Sequence, residues 1–166
     1  MALEVRALAQ AELGALQRGL PLWSSAAYAQ RLGEQDRRQM VQVIAWDGPV
    51  PVGRGMVLFA EHEGYSESAV REGCAEVRDV FVAPEHRRRG AARTMMGSLE
   101  AAARSAGWRR IGLHVAVGDD AAPARALYGR LGYRHAHGPF ITGVTLAADD
   151  GPWHLQETLA YLVKEI

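Results

Sequence analysis

The stretch Val80 to Met96, VFVAPEHRRRGAARTMM, constrains this chain more than any other part of it. Apolar residues of strand character run into Pro84, then into Arg87, Arg88 and Arg89, and then into Gly90 and the start of a helical stripe. The first N–H groups of a helix lack intrahelical acceptors and make that end positive, so acidic side chains belong there. Three arginines in that place point instead to an anionic partner from outside the chain. Gly90 lets a ligand approach the backbone, and the guanidinium groups add charge and bidentate donors. The concavity is one turn wide, which suits one or two phosphates better than a polynucleotide.

The rest of the chain reads as alternating strands and helices. Leu3 to Leu8 alternates apolar and charged residues as a first strand, and Leu13, Leu16 and Leu20 follow at helical spacing up to Pro21. A more polar helix is expected from Ser25 to Gln39. MVQVIAW and VPVGRGMVLFA read as strands joined at Asp47 and Gly48, with Pro49 and Pro51 at the edge or start of the second. Glu61 to Gly73 reads as a long polar loop, and Ala75 to Pro84 as a strand. Ala92, Met95, Met96, Leu99, Ala102, Ala103 and Ala106 form one stripe of a helix that Gly107 caps. A strand from Arg109 to Val117, a short helix in PARALYGRLGY, and the strands FITGVTL and LQETLAYLVKEI complete the order. These elements predict a single α/β domain over residues 1–166, a mixed sheet of about seven strands covered by four helices.

Composition narrows the function classes. Lys+Arg and Asp+Glu are both 19, so the formal charge is zero, which argues against binding nucleic acid by bulk phosphate neutralisation. The one cysteine, Cys74, allows no intrachain disulfide and fits a reducing compartment. Neither a signal-peptide core nor an apolar run long enough to span a bilayer is present, so no membrane partner and a cytoplasmic location are expected. His135 and His137 have metal-like spacing without an evident third ligand, and no metal is expected. His86, His114 and the remaining histidines read as surface or strand residues, and Cys74 as a small apolar strand residue.

Arg87-x-x-Gly90-x-Ala92 after VFVAP, joined to ALYGRLGY at Ala126 to Tyr133, resembles the coenzyme A signature and following helix of the GNAT superfamily of N-acetyltransferases. The resemblance implies a mostly antiparallel sheet splayed between its fourth and fifth strands, with acetyl-CoA as acyl donor. It implies that pantetheine lies in the gap against backbone groups of Phe81 and Val82. The amides from Arg87 through Arg88, Arg89, Gly90 and Ala91 to Ala92 would hold the pyrophosphate, and Tyr128 would protonate the departing thiolate. It also implies an acceptor pocket near Trp23 between the first two helices, and a homodimer, for which an exposed last strand offers an edge. One position departs: the family's asparagine, seven residues before the helix tyrosine, is here Ala121.

Acetyl transfer to an amine needs an uncharged nucleophile, donors for the developing oxyanion, an acid for the sulfur and a base. A backbone N–H at the end of the strand from Ala75 to Val82 serves as the oxyanion donor. Glu76 and Asp79 are the carboxylates on that strand, and strand alternation turns them to opposite faces. Glu76, sharing a face with Val80 and Val82, is the favoured base, and a bulge would reverse the choice to Asp79. The expected activity is direct transfer from acetyl-CoA to a primary amine of a small molecule or peptide, and the alternative is a sensor that binds acyl-CoA without turnover. Glu61, Glu63, Glu67 and Glu72, with Glu76 and Asp79, would present negative potential to a cationic acceptor.

Overall fold

The computed structural model describes residues 3–166. Seven strands form one sheet: β1 (Leu3–Ala7), β2 (Met40–Asp47), β3 (Val50–Leu58), β4 (Ala75–Val82), β5 (Arg110–Ala116), β6 (Arg134–Leu146) and β7 (Trp153–Glu165). Their spatial order is β1-β2-β3-β4-β5-β7-β6, and every neighbouring pair is antiparallel except β4 and β5. The helices are α1 (Leu13–Gly19), α2 (Ala27–Asp36), α3 (Glu67–Glu72), α4 (Ala91–Ser105) and α5 (Ala122–Arg130).

Of the stripe expected for α4, Met95, Met96, Leu99 and Ala103 are buried, Ala92 and Ala102 half-buried, and Ala106 lies exposed past the helix end at Ser105. Ala91, Met95, Met96, Leu99 and Ala103 pack with Val43, Val57, Val77, Ile111 and Leu113 from the sheet, while Arg93, Thr94 and Gly97 stay exposed. Each fully buried Met or Leu contributes about 2 kcal/mol, enough to fix which way the start of α4 faces. Glu100, also on this helix, accepts 2.9 Å hydrogen bonds from Lys164 Nζ on β7 at both carboxylate oxygens, tying α4 across the molecule. A second cluster, Leu8, Leu16, Tyr28, Ile44 and Trp46, seats α1 and α2 against the sheet. Gly107 adopts φ 90° just past α4, as expected of a left-handed terminator.

Several expectations are corrected. The stretch from Glu61 to Gly73 is not all loop but holds α3, making five helices rather than four. Ser66 caps it by accepting from the Ala69 N–H at 3.2 Å, Gly73 ends it at φ 58°, and Ala69 is its buried contact. The second helix is shorter than Ser25 to Gln39, running from Ala27 to Asp36 with Gly33 inside it. The strand expected as FITGVTL starts at Arg134, and irregular register around His137 absorbs Gly138 and Pro139. The last strand is not an edge, because β7 lies between β5 and β6; the edges are β1 and β6.

Candidate active site

The turn into α4 leaves its backbone donors free. Arg88 and Gly90 both take the left-handed conformation, at φ 64° and 88°, which reverses the chain between β4 and α4. Among the described residues no acceptor takes the N–H groups of Arg88, Arg89, Gly90, Ala91, Ala92 or Arg93. No acidic residue stands in the first turn of α4. A Cβ on Gly90 would meet nothing within 4 Å, so the space over these amides is open. The three arginines are not equivalent. Arg87 donates from Nε to the Val82 carbonyl at 3.0 Å, and Arg89 pairs with Asp47 at 2.9 Å. Arg88 is exposed and makes no hydrogen bond to another described residue.

β4 and β5 part where the resemblance implies. Their pairing is limited to Ala75 with Ile111, Glu76 with Gly112 and Val77 with Leu113, although both strands continue. Beyond Val77, β4 stays joined to β3 on its other side, and Ala83 donates to the Val52 carbonyl at 2.9 Å. The Phe81 carbonyl points toward Gly53, whose Cβ would lie 2.9 Å from it. By strand alternation the polar groups of Val82, not those of Phe81, then face the gap toward β5. Phe81 offers its ring, over which the Arg54 guanidinium sits at 4.5 Å.

A bulge sits on β4. Phe81 pairs with Arg54 and Arg78 with Met56, so Asp79 and Val80 together oppose Gly55, and Asp79 takes φ 53°. The alternation that put Glu76 on the face of Val80 and Val82 is therefore broken. Val77, Val80 and Val82 pack with α4, whereas Glu76 and Asp79 meet polar partners elsewhere. Asp79 accepts from Arg31 at 2.9 Å and from Arg54 at 2.8 and 3.2 Å, with Arg31 also bonded to Gln42.

Glu76 has no exposed surface. Its Oε1 accepts from Ser66 Oγ at 2.7 Å and lies 3.1 Å from His114 Nδ1. Its Oε2 accepts from the Ser66 N–H at 3.0 Å and from Arg78 at 3.3 Å. Burial pushes this carboxyl up, but hydrogen bonds from His114 and Ser66 and the Arg78 charge outweigh burial and hold it below its ordinary value.

On the β5 side of the gap is a cavity of ≈ 530 Å³ lined by residues of α3 and of β4 through β7, among them Ser68, Arg78, His114, Phe140, Glu157 and Leu159. Ser68 bridges two histidines there, with Oγ 3.3 Å from His114 Nε2 and 2.9 Å from His137 Nε2. Glu72 Oε1 lies 3.3 Å from His137 Nδ1, a buried nitrogen without an aligned hydrogen bond. Of the acidic residues expected to face an acceptor, Glu67 lines this cavity, while Glu72 is engaged by Arg110 and His137. The sequence reading missed Ser68 and took His114 and His137 for bystanders. The available signal was a histidine at an interior strand position; Ser68 lies 46 residues earlier in the chain.

Tyr128 is buried and packs edge-on against Tyr133 with ring centroids 5.9 Å apart, and its hydroxyl has no hydrogen-bond partner among the described residues. Burial raises its phenol above the ordinary value. Trp23 lies in the α1–α2 connection under the Arg31 guanidinium, at 5.2 Å, and its carbonyl accepts from the Asp149 N–H of the β6–β7 turn at 3.3 Å. Cys74 is buried beside Tyr161, and burial pushes its thiol up to about 11. That leaves it inert as a nucleophile. Among the described residues no helix is long and apolar enough to cross a membrane.

The sequence model of the acetyltransferase (GNAT) family matches residues 5–133. No curated protein sequence is similar enough to count as a relative. Among solved structures, the ribosomal-protein-alanine N-acetyltransferase of Brucella melitensis superposes with a TM-score of 0.67 at 20% identity, covering 98% of this chain and 99% of its own. The ribosomal-protein-S18-alanine N-acetyltransferase of Escherichia coli gives 0.66 at 19% identity, over 99% and 94%. The yncA protein of Salmonella typhimurium, solved with its cofactor acetyl-CoA, gives 0.63 at 17% identity, over 99% and 94%.

Proposed function

Because the chain belongs to the acetyltransferase (GNAT) family, we propose that it moves the acetyl group of acetyl-CoA directly to a primary amine of a small molecule or peptide. Acetyl-CoA is the acyl donor of this family. The observation that carries the reading is the row of free N–H groups from Arg88 to Arg93 around a glycine with open space above it. That arrangement matches a diphosphate, with the Arg88 guanidinium free to add charge.

The other parts of the site support the same reaction. Val82 turns its backbone N–H into the gap between β4 and β5, its carbonyl already accepting from Arg87 Nε, and an extended amide-bearing arm fits there. A phenol kept protonated by burial, Tyr128, suits the donation of a proton to the leaving sulfur. On the base side stands Glu76, while Asp79 is taken up by two guanidinium groups. The cavity beyond the gap mixes Phe140, Ile141 and Leu159 with Glu67 and Glu157. It offers apolar contact to the body of an acceptor and negative charge to its amine.

The test is calorimetry with coenzyme A, followed by release of free thiol from acetyl-CoA with an amine panel that includes an alanine-initiated peptide and spermidine. Binding together with amine-dependent thiol release supports the transferase. Binding without release by any amine favours a sensor, and absence of heat removes the reading altogether.

A further inference from the structure

Glu76 cannot itself touch an acceptor. It has no exposed surface, and its two oxygens already face Ser66 N–H, Ser66 Oγ, Arg78 and His114. Its partners Ser66, Arg78 and His114 do line the cavity, as does Ser68, whose Oγ lies against His114; of these, Ser68 and His114 form a chain that can pass a proton. We propose that Ser68 and His114 form the proton relay of the transferase, with Glu76 as the positioning residue behind them. This rests on the transferase reading above and says how its base works.

The hydrogen-bond partners set the direction of the relay. Glu76 Oε1 can only accept in its ionised form, so the His114 proton sits on Nδ1 and Nε2 carries a lone pair. That lone pair accepts the Ser68 hydroxyl proton across 3.3 Å. The Ser68 oxygen keeps a lone pair for a donor from the cavity, and His137 Nε2 lies 2.9 Å from the same oxygen.

The step balances without an added reagent. The acceptor's ammonium nitrogen gives a proton to Ser68 Oγ while the Ser68 proton passes to His114 Nε2. An amine with a free electron pair, an unchanged serine and an imidazolium result. The charge on His114 is then held 3.1 Å from Glu76. The charged and titratable groups around His114 are Glu76 and Arg78 from β4, Glu67 and Glu72 from α3 with Arg110 of β5 paired to Glu72, His137 from β6, and Tyr161 and Glu157 from β7. His137, facing Glu72, keeps Ser68 oriented from the other side.

The experiment uses the full chain and the amine that gives the fastest thiol release in the panel above. H114Q is expected to lower kcat/KM about 10²-fold or more and to remove the acidic limb of its pH profile, with unchanged coenzyme A binding by calorimetry. E76Q is expected to move that limb to lower pH, because losing the carboxylate leaves the imidazolium less stabilised. Nitrogen-detected NMR of the wild-type chain, which needs neither turnover nor a variant that folds, is expected to find His114 protonated at Nδ1 alone. H114Q with a wild-type profile, or a proton on His114 Nε2 in the neutral ring, overturns the relay and leaves the transferase standing. Acetyl found on Ser68 by mass spectrometry also overturns it, since the serine would then be a nucleophile. No thiol release by wild type with any amine overturns the relay together with its parent reading.

Discussion

Arg88 and Gly90 hold the same left-handed backbone, at φ 64° and φ 88°, on either side of Arg89 at the mouth of the α4 cradle. Glycine adopts it freely, whereas a side-chain-bearing residue loses about 1 kcal/mol there. An arginine kept under that strain, exposed and without a protein partner, is explained by a ligand that needs its charge. R88G is therefore expected to raise unfolding stability by about 1 kcal/mol while weakening coenzyme A binding. G90A is expected to lose about 1 kcal/mol from conformation alone, since its Cβ meets nothing within 4 Å. A loss of coenzyme A affinity beyond that would show the Cβ intruding on the bound diphosphate. Urea titration and calorimetry on both variants separate the two effects.

Asp79 lies between two guanidinium groups, with side-chain exposures of 7% for Arg31, 11% for Arg54 and 19% for Asp79. Removing the carboxylate leaves two poorly hydrated positive charges facing each other. D79A is expected to cost about 3 kcal/mol, and D79N less, because an amide oxygen still accepts one hydrogen bond. Denaturant midpoints of the two variants check the order. A catalytic base at Asp79 would give the reverse pattern, with kcat abolished equally in both and little change in stability.

What the sequence made legible was local. A strand, a proline, arginines, Gly90 and a helical stripe are contiguous, so the cradle's free amides follow from rules about helix ends. The splay was implied by the family resemblance rather than by any pattern of residues. Glu76 was misplaced relative to Val80 because alternation assumes an unbroken strand, and nothing in AEVRDVFV announces that Asp79 turns left-handed. α3 escaped because it has a single buried contact, although Ser66 and Gly73 were standard cap residues at its ends. The relay was out of reach for a different reason. Ser68, His114 and His137 come from α3, β5 and β6, and only the strand order β4-β5-β7-β6 brings them together. The same order, which no strand reveals by itself, moved β7 from the edge to the interior.

Glu76 also sets an acid limit on stability. Its carboxyl is held below its ordinary value in the folded chain, so the unfolded chain binds the proton more readily. Its contribution is then complete above the unfolded value, about 4.3, and is lost as pH falls through the lower folded value. E76Q is expected to cost about 2 kcal/mol at neutral pH, where charge-assisted hydrogen bonds from Ser66 and His114 disappear. The cost should shrink as pH is lowered through that window, since the wild-type residue then becomes neutral too. Urea unfolding at stepped pH measures this, and a cost independent of pH would mean that the Glu76 carboxyl is not ionised in the folded chain.

Tyr128 gives a prediction that tells chemistry from packing. Its ring belongs to the core with Met95, Leu99 and Tyr133, and phenylalanine preserves that shape. The hydroxyl has no hydrogen-bond partner among the described residues, so removing it breaks no internal bond. Y128F is expected to keep its unfolding midpoint and its affinity for coenzyme A. A lost proton donor to the sulfur should appear in kcat, about 10²-fold lower, with KM for acetyl-CoA little changed. If KM rises while kcat holds, the hydroxyl serves binding alone, and the acid must be sought in water or in another group along the gap.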